Sequence, residues 1–531
     1  MRACTKALWL GAFGWIAGLA AQEYVGSQAC STCHKAIYDH WTRSAMGRSM
    51  SPAASHLEKA ANQATVRSEK LRRDFAVFAE GGALKQRESG DGFRNEHTLS
   101  WAIGSGMNGL SFVLQRGDHL FQAPLSYYSK IGKWELSPGY EFADYGFNRT
   151  IPAACISCHS GRPRPVAGAN GKYANPPFTE LAIGCENCHG PGQRHIAQKG
   201  ARAAIVNPAR LPAARADEIC MNCHQAGDTR ILQPGKTEQD FRPGMRLNDI
   251  VAIFRLPRSR ENAKDTDLLE HHESMRLSQC FSKSGAMSCQ TCHNPHASQI
   301  DYRAKCLICH DKKIGAATHP GRSSDCVGCH MPKRNVDVIA HSALTNHRII
   351  REPNQPLPAS AFSGPDLVHS NRIAGQALPL LTELQAYGEM ADRQPGYLDR
   401  FNRLLDQAAT TEPAHPLVLA TLGRRALRAN QLPEAVTHLQ AALKAGSKSS
   451  TTFEDLGDAL GRSGRLEDSA AVLQQGIQTA PFTPVLYKAL ALRYIQLKRY
   501  EQAKTALEQY VERFPEDDFV RKLLQQVSGP R

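Results

Sequence analysis

The sequence predicts a chain in two parts. The first is a mostly α and irregular segment packed around bound cofactors, with a small inserted antiparallel β element. The second is an all-α repeat solenoid. Three observations carry this reading. Cys-x-x-Cys-His recurs seven times between Cys30 and His330. A glycine-punctuated stretch between the first two copies reads as short strands. After residue 380, small and apolar residues recur every 34 positions.

The seven copies are Cys30/Cys33/His34, Cys155/Cys158/His159, Cys185/Cys188/His189, Cys220/Cys223/His224, Cys289/Cys292/His293, Cys306/Cys309/His310 and Cys326/Cys329/His330. Residues at i, i+3 and i+4 of a helical turn share a face. One short segment therefore presents two thiols and an imidazole together. That is the attachment signature of haem c: the thiols add across the porphyrin vinyl groups and the adjacent imidazole becomes the proximal iron ligand. Seven covalent haems c are expected, the fourteen cysteines holding porphyrin and the seven histidines holding iron. Structural zinc sites also use Cys-x-x-Cys pairs, but they usually join two pairs and do not require histidine after each. Here histidine follows all seven.

Bulk properties agree with an exported cytochrome. Met1-Arg2-Ala3-Cys4-Thr5-Lys6 precedes an apolar run from Ala7 to Ala20, which reads as a secretory signal over residues 1–21. No later stretch is apolar for long enough to span a bilayer, so no membrane span is expected in the mature chain. Residence is expected outside the cytoplasm: the periplasm first, the cell surface or the exterior as alternatives. Of sixteen cysteines, only Cys4 and Cys280 lie outside the motifs. Cys280 has no evident disulfide partner and reads as a buried or weakly reactive thiol. The formal charge of +14 would ordinarily suggest nucleic acid. Seven haems would bring fourteen propionates for arginine and lysine to pair with, and nothing else in the chain points to nucleic acid.

The first motif lies in residues 22–60. The haem-free interval of about 61–150 reads as strands: Phe75-Ala76-Val77-Phe78 before Gly81-Gly82, Thr98 to Trp101, Leu110 to Leu114, and Leu120 to Tyr128. Residues 151–350 carry six motifs with little regular pattern between them. Porphyrin would supply the missing apolar surface, so haem attachment is expected to be a condition of folding. Residues 22–350 form the expected seven-haem domain, and proline-rich residues 351–380 a linker. In 381–531, Gly423, Gly457 and Ala491 align, as do Leu422, Leu456 and Leu490, then Ala435, Ser469 and Ala503, then Leu439, Leu473 and Leu507. Pro481 and Pro515 close two units. The 34-residue period resembles the tetratricopeptide repeat, a helix–turn–helix unit, with a degenerate unit at about 382–415. Its expected role is to dock a protein or peptide.

The second axial ligand of each iron decides between electron transfer and catalysis. Candidates are His195, placed shortly after the third motif; His296, in Cys-His-Asn-Pro-His; His271 and His272, before the fifth motif; and His319, His341 and His347, around the last. His40, His56, His97, His119 and His369 are weaker candidates. Met46 and Met107 lie in glycine-containing, otherwise polar surroundings, and methionine is a legitimate axial ligand.

The opening Tyr24-Val25-Gly26-Ser27-Gln28-Ala29-Cys30-Ser31-Thr32-Cys33-His34-Lys35-Ala36-Ile37-Tyr38 resembles the cytochrome c-552/c-554 type domain of bacterial multihaem cytochromes. The stretches Cys185 to His195, Ser278-Gln279-Cys280-Phe281 through His296, and Cys326 to Pro332 resemble larger cytochromes with a C-terminal tetratricopeptide array. This resemblance implies electron transfer by closely packed haems, redox partner proteins, and the machinery that matures c-type cytochromes. Many relatives carry a histidine near the position of Met46, which makes Met46 the candidate distal ligand of the first iron. Two other functions stay open. One is an oxidoreductase acting on nitrite or hydroxylamine through an open iron; multihaem nitrite reductases mark that iron with Cys-x-x-Cys-Lys, which this chain lacks, and Tyr127, Tyr128 or Tyr140 are possible crosslinking tyrosines. The other is a scaffold that assembles a respiratory complex.

Overall fold

The computed structural model describes residues 23–60, 63–261, 270–285, 287–297, 299–310, 325–335 and 343–528. The expected signal sequence, His319 and His341 lie outside the described residues.

Ten strands lie between Met50 and Leu136: β1 (Met50–Pro52), β2 (Ala64–Ser68), β3 (Arg73–Glu80), β4 (Ala83–Gly90), β5 (Phe93–Thr98), β6 (Trp101–Ile103), β7 (Gly109–Arg116), β8 (His119–Gln122), β9 (Leu125–Tyr128) and β10 (Lys133–Leu136). They form two antiparallel sheets, one ordered β1-β6-β7-β9-β10 with β8 on β7, the other β2-β3-β4-β5. Period-two alternation sends Phe75 and Val77 of one sheet, and Leu110, Phe112 and Leu114 of the other, into a single core. Gly81 and Gly82, both at positive φ, make the two-residue turn between β3 and β4. The strand β4 eludes a hydrophobic reading because its inward side is Leu84, Gln86 and Glu88. Gln86 belongs there because its amide accepts from Leu125 N (2.9 Å) and donates to Leu125 O (2.8 Å), tying one sheet to the other.

β structure also continues past this element. β11 (Arg162–Pro165) pairs with β12 (Tyr173–Glu180), β13 (Thr229–Leu232) with β14 (Val251–Arg255), and β15 (Lys333–Asn335) with β16 (Ala343–Thr345). The N-terminal part therefore has substantial β content, more than the small insertion expected. Residues 351–380 are not a free tether either. β17 (Val368–His369) adds to β14, and the buried Asn371 side chain bonds both Ile253 N and Val251 O.

Helical hairpins follow: Leu380–Ala391 with Leu398–Thr411, Pro416–Arg428 with Leu432–Lys444, Ser450–Arg462 with Leu466–Thr479, and Pro484–Gln496 with Tyr500–Arg513, then a last helix, Asp518–Ser528. Starts at 416, 450, 484 and 518 hold the 34-residue register. The small residues do what the pattern required. A Cβ on Gly423 would lie 2.5 Å from the Leu439 side chain, and one on Gly457 2.7 Å from Leu473. No helix among the described residues is long and apolar enough to cross a membrane.

The solenoid meets the N-terminal part along one edge. Three loops 34 residues apart present Lys448 beside Gly168, Phe482 edge-on to Phe121 (4.6 Å) beneath Arg116, and Glu516 to Asn148 (2.8 Å). At the other end, Thr382 donates to Gln233 (2.9 Å) and Ala386 shares a core with Ile231, Ala252 and Phe254. Around Glu516 the interface is charged and buried. Arg73 reaches Asp144 (3.0 Å), Asp518 (3.2 Å), Glu88 (3.5 Å) and the carbonyl of Glu516 (2.7 Å). Burial pushes the Glu516 carboxyl up to about 7; Asn148 and Arg116 oppose that and Asp144 adds to it. Glu88 is raised too, by burial first and then by Asp144 and Glu516, against Arg73. A carboxyl raised in the folded state contributes stability that is complete below its unfolded pKa and is lost as pH rises through its folded value. Thermal melts should therefore show stability falling between about pH 5 and about pH 8. Glu516→Gln keeps an oxygen for Asn148 and should flatten that fall by about 1–3 kcal/mol; an unchanged slope would remove Glu516 as its source.

Candidate metal centres

Each Cys-x-x-Cys-His occupies a short helical turn, and residues between or beside the cysteines close it. In Cys185–His189 the Asn187 side chain accepts from Gly184 N (2.9 Å) and donates to Gly161 O (3.0 Å). Asp325 accepts from Gly328 N (2.8 Å) at the last motif, and Thr291 Oγ1 from Ser288 N (3.0 Å) at the fifth. Gly190, at positive φ, turns the chain away directly after His189. The turns are brought together pairwise. Side-chain contacts join Cys30 to Cys185, Cys158 to Cys223, Cys220 to Cys289, and Cys306 to Cys326.

The sequence treats the fourteen motif cysteines as equivalent, and the structure does not. Cys33, Cys155, Cys309 and Cys329 are exposed, whereas their motif partners Cys30, Cys158, Cys306 and Cys326 are half-buried. In the last motif Cys326 turns toward Cys306 and Cys329 faces outward. One thiol of each such motif is thus held against a neighbouring turn and the other is left accessible. Cys280 lies beside Cys292 and Cys309, and burial pushes its thiol up.

The histidines are arranged more specifically. His34 faces His195 with ring centroids 6.4 Å apart and planes 15° from parallel. His189 faces His296 at 5.8 Å and 15°, and His293 faces His347 at 6.0 Å and 29°. His224 and His271 lie 6.1 Å apart at 42°. His271 also touches His347 at 4.2 Å. A metal–imidazole bond is about 2 Å and a ring nitrogen lies about 1 Å from its centre, so two imidazoles sharing one iron have centroids about 6 Å apart. All four pairs fit that spacing, and each contains one motif histidine. Tautomers fit as well. Nδ1 of His189, His195, His347 and His330 bonds a backbone carbonyl, of Val206 (2.8 Å), Ala201 (3.0 Å), Thr345 (3.0 Å) and Ile350 (2.7 Å). A carbonyl only accepts, so Nδ1 carries the proton and Nε2 keeps the lone pair a metal needs. Burial holds His224, His293, His296 and His347 below the usual imidazole range and takes His271 down to about 4, favouring the neutral, ligating form. The apolar side chains of Ile37, Ile196 and Ile308 beside the motifs are exposed, a surface suited to an apolar ring.

The structure redistributes the candidates. His195 follows the third motif but its ring stands opposite His34 of the first. The turn Gly190-Pro191-Gly192 folds the helix Gln193–Ala197 onto the N-terminal segment, where Gln193 accepts from Glu23 N (3.1 Å), and His195 takes the place opposite His34. Met46, expected there, is half-buried. Of the His271-His272 pair, His271 faces the motif histidine, while His272 is half-buried near Arg276 and Asp217. For His159 and His310, no ring contact with a second histidine occurs among the described residues. His97 packs on Phe147, His119 on Phe482 beside Asp118, and His369 on Phe254. Met107 is exposed. Tyr127 packs on Trp134, the Tyr128 hydroxyl donates to Leu136 O, and the Tyr140 hydroxyl to Gln122 O and Gly146 O, so all three serve the β part. The tyrosine beside a motif is Tyr302, its hydroxyl 3.4 Å from His293 Nδ1, which the sequence reading missed. Among the described residues no group of three or more His, Cys, Asp or Glu side chains is placed to hold a bare metal ion.

Comparison with known proteins agrees with both halves at a coarse level. Residues 421–484 and 484–527 match tetratricopeptide repeat family models, and the C-terminal part carries these repeats. The chain is 25% identical over 227 residues to the multiheme cytochrome MtrA of Shewanella baltica, a match covering 39% of this chain. It spans 61% of that relative's length. Solved structures similar to the repeats include MamA (18% identity, 25% of this chain and 79% of that one, TM-score 0.24) and the Cut9–Hcn1 hetero-tetramer of APC/C (24%, 28% and 30%, TM-score 0.25). Likeness at such scores carries no argument about function.

Proposed function

We propose that this chain is an exported seven-haem c-type cytochrome that passes electrons along a haem relay and docks its redox partner through the repeats. The observation that carries the proposal is the set of four imidazole pairs with centroids 5.8–6.4 Å apart, each joining a motif histidine to one from elsewhere in the chain. Bound haem would supply one-electron chemistry. The chain's own residues do the rest. The fourteen motif cysteines, from Cys30 to Cys329, anchor the porphyrins. His34, His159, His189, His224, His293, His310 and His330 ligate proximally, and His195, His296, His271 and His347 fill the second position on the first, third, fourth and fifth irons. His319 and His341 remain candidates for the others. Backbone carbonyls fix the ligating tautomers. With haem bound, the side-chain contacts between motif cysteines would bring the anchoring turns of neighbouring haems together, as transfer within one chain requires.

The repeats support partner docking because their attachment uses only one edge. The helix Pro484–Gln496 still exposes Val485, Leu492 and Ile495 on one face, the kind of apolar surface that marks protein interfaces. The reading also places the protein in the periplasm or at the cell surface, where haem c is attached and thiols are not kept reduced.

Mass spectrometry of the mature protein should give seven covalent haems, and electron paramagnetic resonance of the oxidised form should be low-spin at the four paired irons. A substoichiometric high-spin signal that moves on adding nitrite or hydroxylamine would instead favour an oxidoreductase with one open iron. The ligand assignment is tested separately. His195→Ala should convert one haem to high-spin at unchanged haem content, while Met46→Ala should leave the spectrum as it was; the opposite result would return the first iron to Met46.

A further inference from the structure

The first and third motifs meet around two carboxylates that have no cationic partner. Glu186, between the two cysteines of the third motif, is 1% exposed. Its Oε1 accepts from Gly192 N (2.7 Å) and Val25 N (3.0 Å), and its Oε2 from Gly26 N (2.8 Å) and Val25 N (3.1 Å). Both oxygens only accept, the bonding pattern of an ionised carboxylate. Glu180, at the end of β12, accepts from Ser27 N (2.9 Å) through Oε1, and its Oε2 is buried without a partner. Among the described residues no lysine, arginine or histidine forms an ion pair with either. Both act electrostatically on Cys30, whose thiol touches Cys185.

Backbone N–H groups would be satisfied equally well by neutral oxygens. Burying the Glu186 anion without a cation is costly, and this fold does it, with the half-buried Glu180 nearby, where two cofactor-anchoring turns join. We propose that Glu186, seconded by Glu180, sets the reduction potential of the first and third sites, holding both at the low-potential end of the chain. An oxidised iron carries one more positive charge than a reduced one. A fixed buried anion nearby favours the oxidised form, and a low effective dielectric strengthens that preference. The relay then has a direction built in: electrons reaching the first and third sites are driven toward the remaining five. This inference rests on the haem reading above, which the same experiment tests separately.

The test is a spectroelectrochemical titration of the fully haem-loaded chain and of two variants. Glu186→Gln should move two of the seven steps to higher potential and leave five in place. Glu180→Gln should move the same two steps in the same direction by less, since solvent screens this half-buried group more than Glu186. Steps that superimpose on wild type in both variants, at full haem content and with unchanged low-spin signals, would overturn the role. Should Glu186→Gln fail to load haem, Glu180→Gln decides alone: a shift of those steps supports the role and no shift overturns it. A wild-type chain that carries no covalent haem would overturn the cytochrome reading itself, and this inference with it.

Discussion

Imidazole rings held in pairs with their centroids about 6 Å apart are the constraint around which the motif turns are arranged. The paired histidines are rarely neighbours in sequence. His34 is met by His195, His189 by His296 and His293 by His347. Each pair therefore closes a long loop, and the loops interlock, since the segment supplying the second ring to one motif itself follows a later one. In an ordinary domain this stitching falls to an apolar core. Here the clusters of buried apolar side chains lie in the β sheets, around strands β13 and β14, and in the solenoid. Between Cys289 and His330 the described helices bury no residue. That stretch depends on what its cysteines and histidines hold.

The solenoid answers a second problem of the same architecture. A chain organised by scattered pairs lacks a rigid frame, and the repeats provide one. Their 34-residue period delivers a loop to the N-terminal part once per unit, so a single straight edge makes several evenly spaced attachments. Lys448, Phe482 and Glu516 occupy equivalent positions yet differ in chemistry: one aliphatic stem, one aromatic ring and one buried acid. Their partners differ accordingly, from Gly168 to Phe121 and Arg116 to Asn148. The repeat pattern fixes where contacts fall, and the local residue fixes what each contact is.

That distinction explains what could be read from sequence. The motif turns, the strands β3 and β7 and the helical hairpins were legible because each rests on a short-range rule: i, i+3, i+4 geometry, period two, or a 34-residue repeat. The strand β4 was hidden because Gln86 and Glu88 sit where apolar residues are expected, satisfied only by partners on other elements. Within a motif the spacing makes Cys326 and Cys329 look alike, and only the neighbouring turn, which Cys326 meets, tells them apart. Second ligands were legible as types but not as pairings. His195 stands six residues after His189, and its sequence position does not say which motif it meets. The turn at Gly190-Pro191-Gly192 sends it to a motif about 160 residues earlier in the chain. Nothing local to Met46 says that the distant helix Gln193–Ala197 brings His195 opposite His34. The edge-on docking was illegible because Phe482 and Glu516 look like ordinary loop residues until the β element is placed against them.

The two buried acidic sites are best understood together. Glu88 and Glu516 lie at the seam between solenoid and β element, surrounded by Arg73, Arg116 and Arg521, and burial pushes their carboxyls upward. Glu186 lies between two motif turns with backbone N–H donors alone. Desolvation opposes charge at both sites, so the difference lies in the donors. Directed N–H groups on both oxygens support an anion, while a crowd of like carboxylates sharing too few arginines favours a held proton. The seam is therefore responsive to pH. Because Glu516 joins the solenoid loop to Asn148, that attachment loosens as pH rises through its folded value.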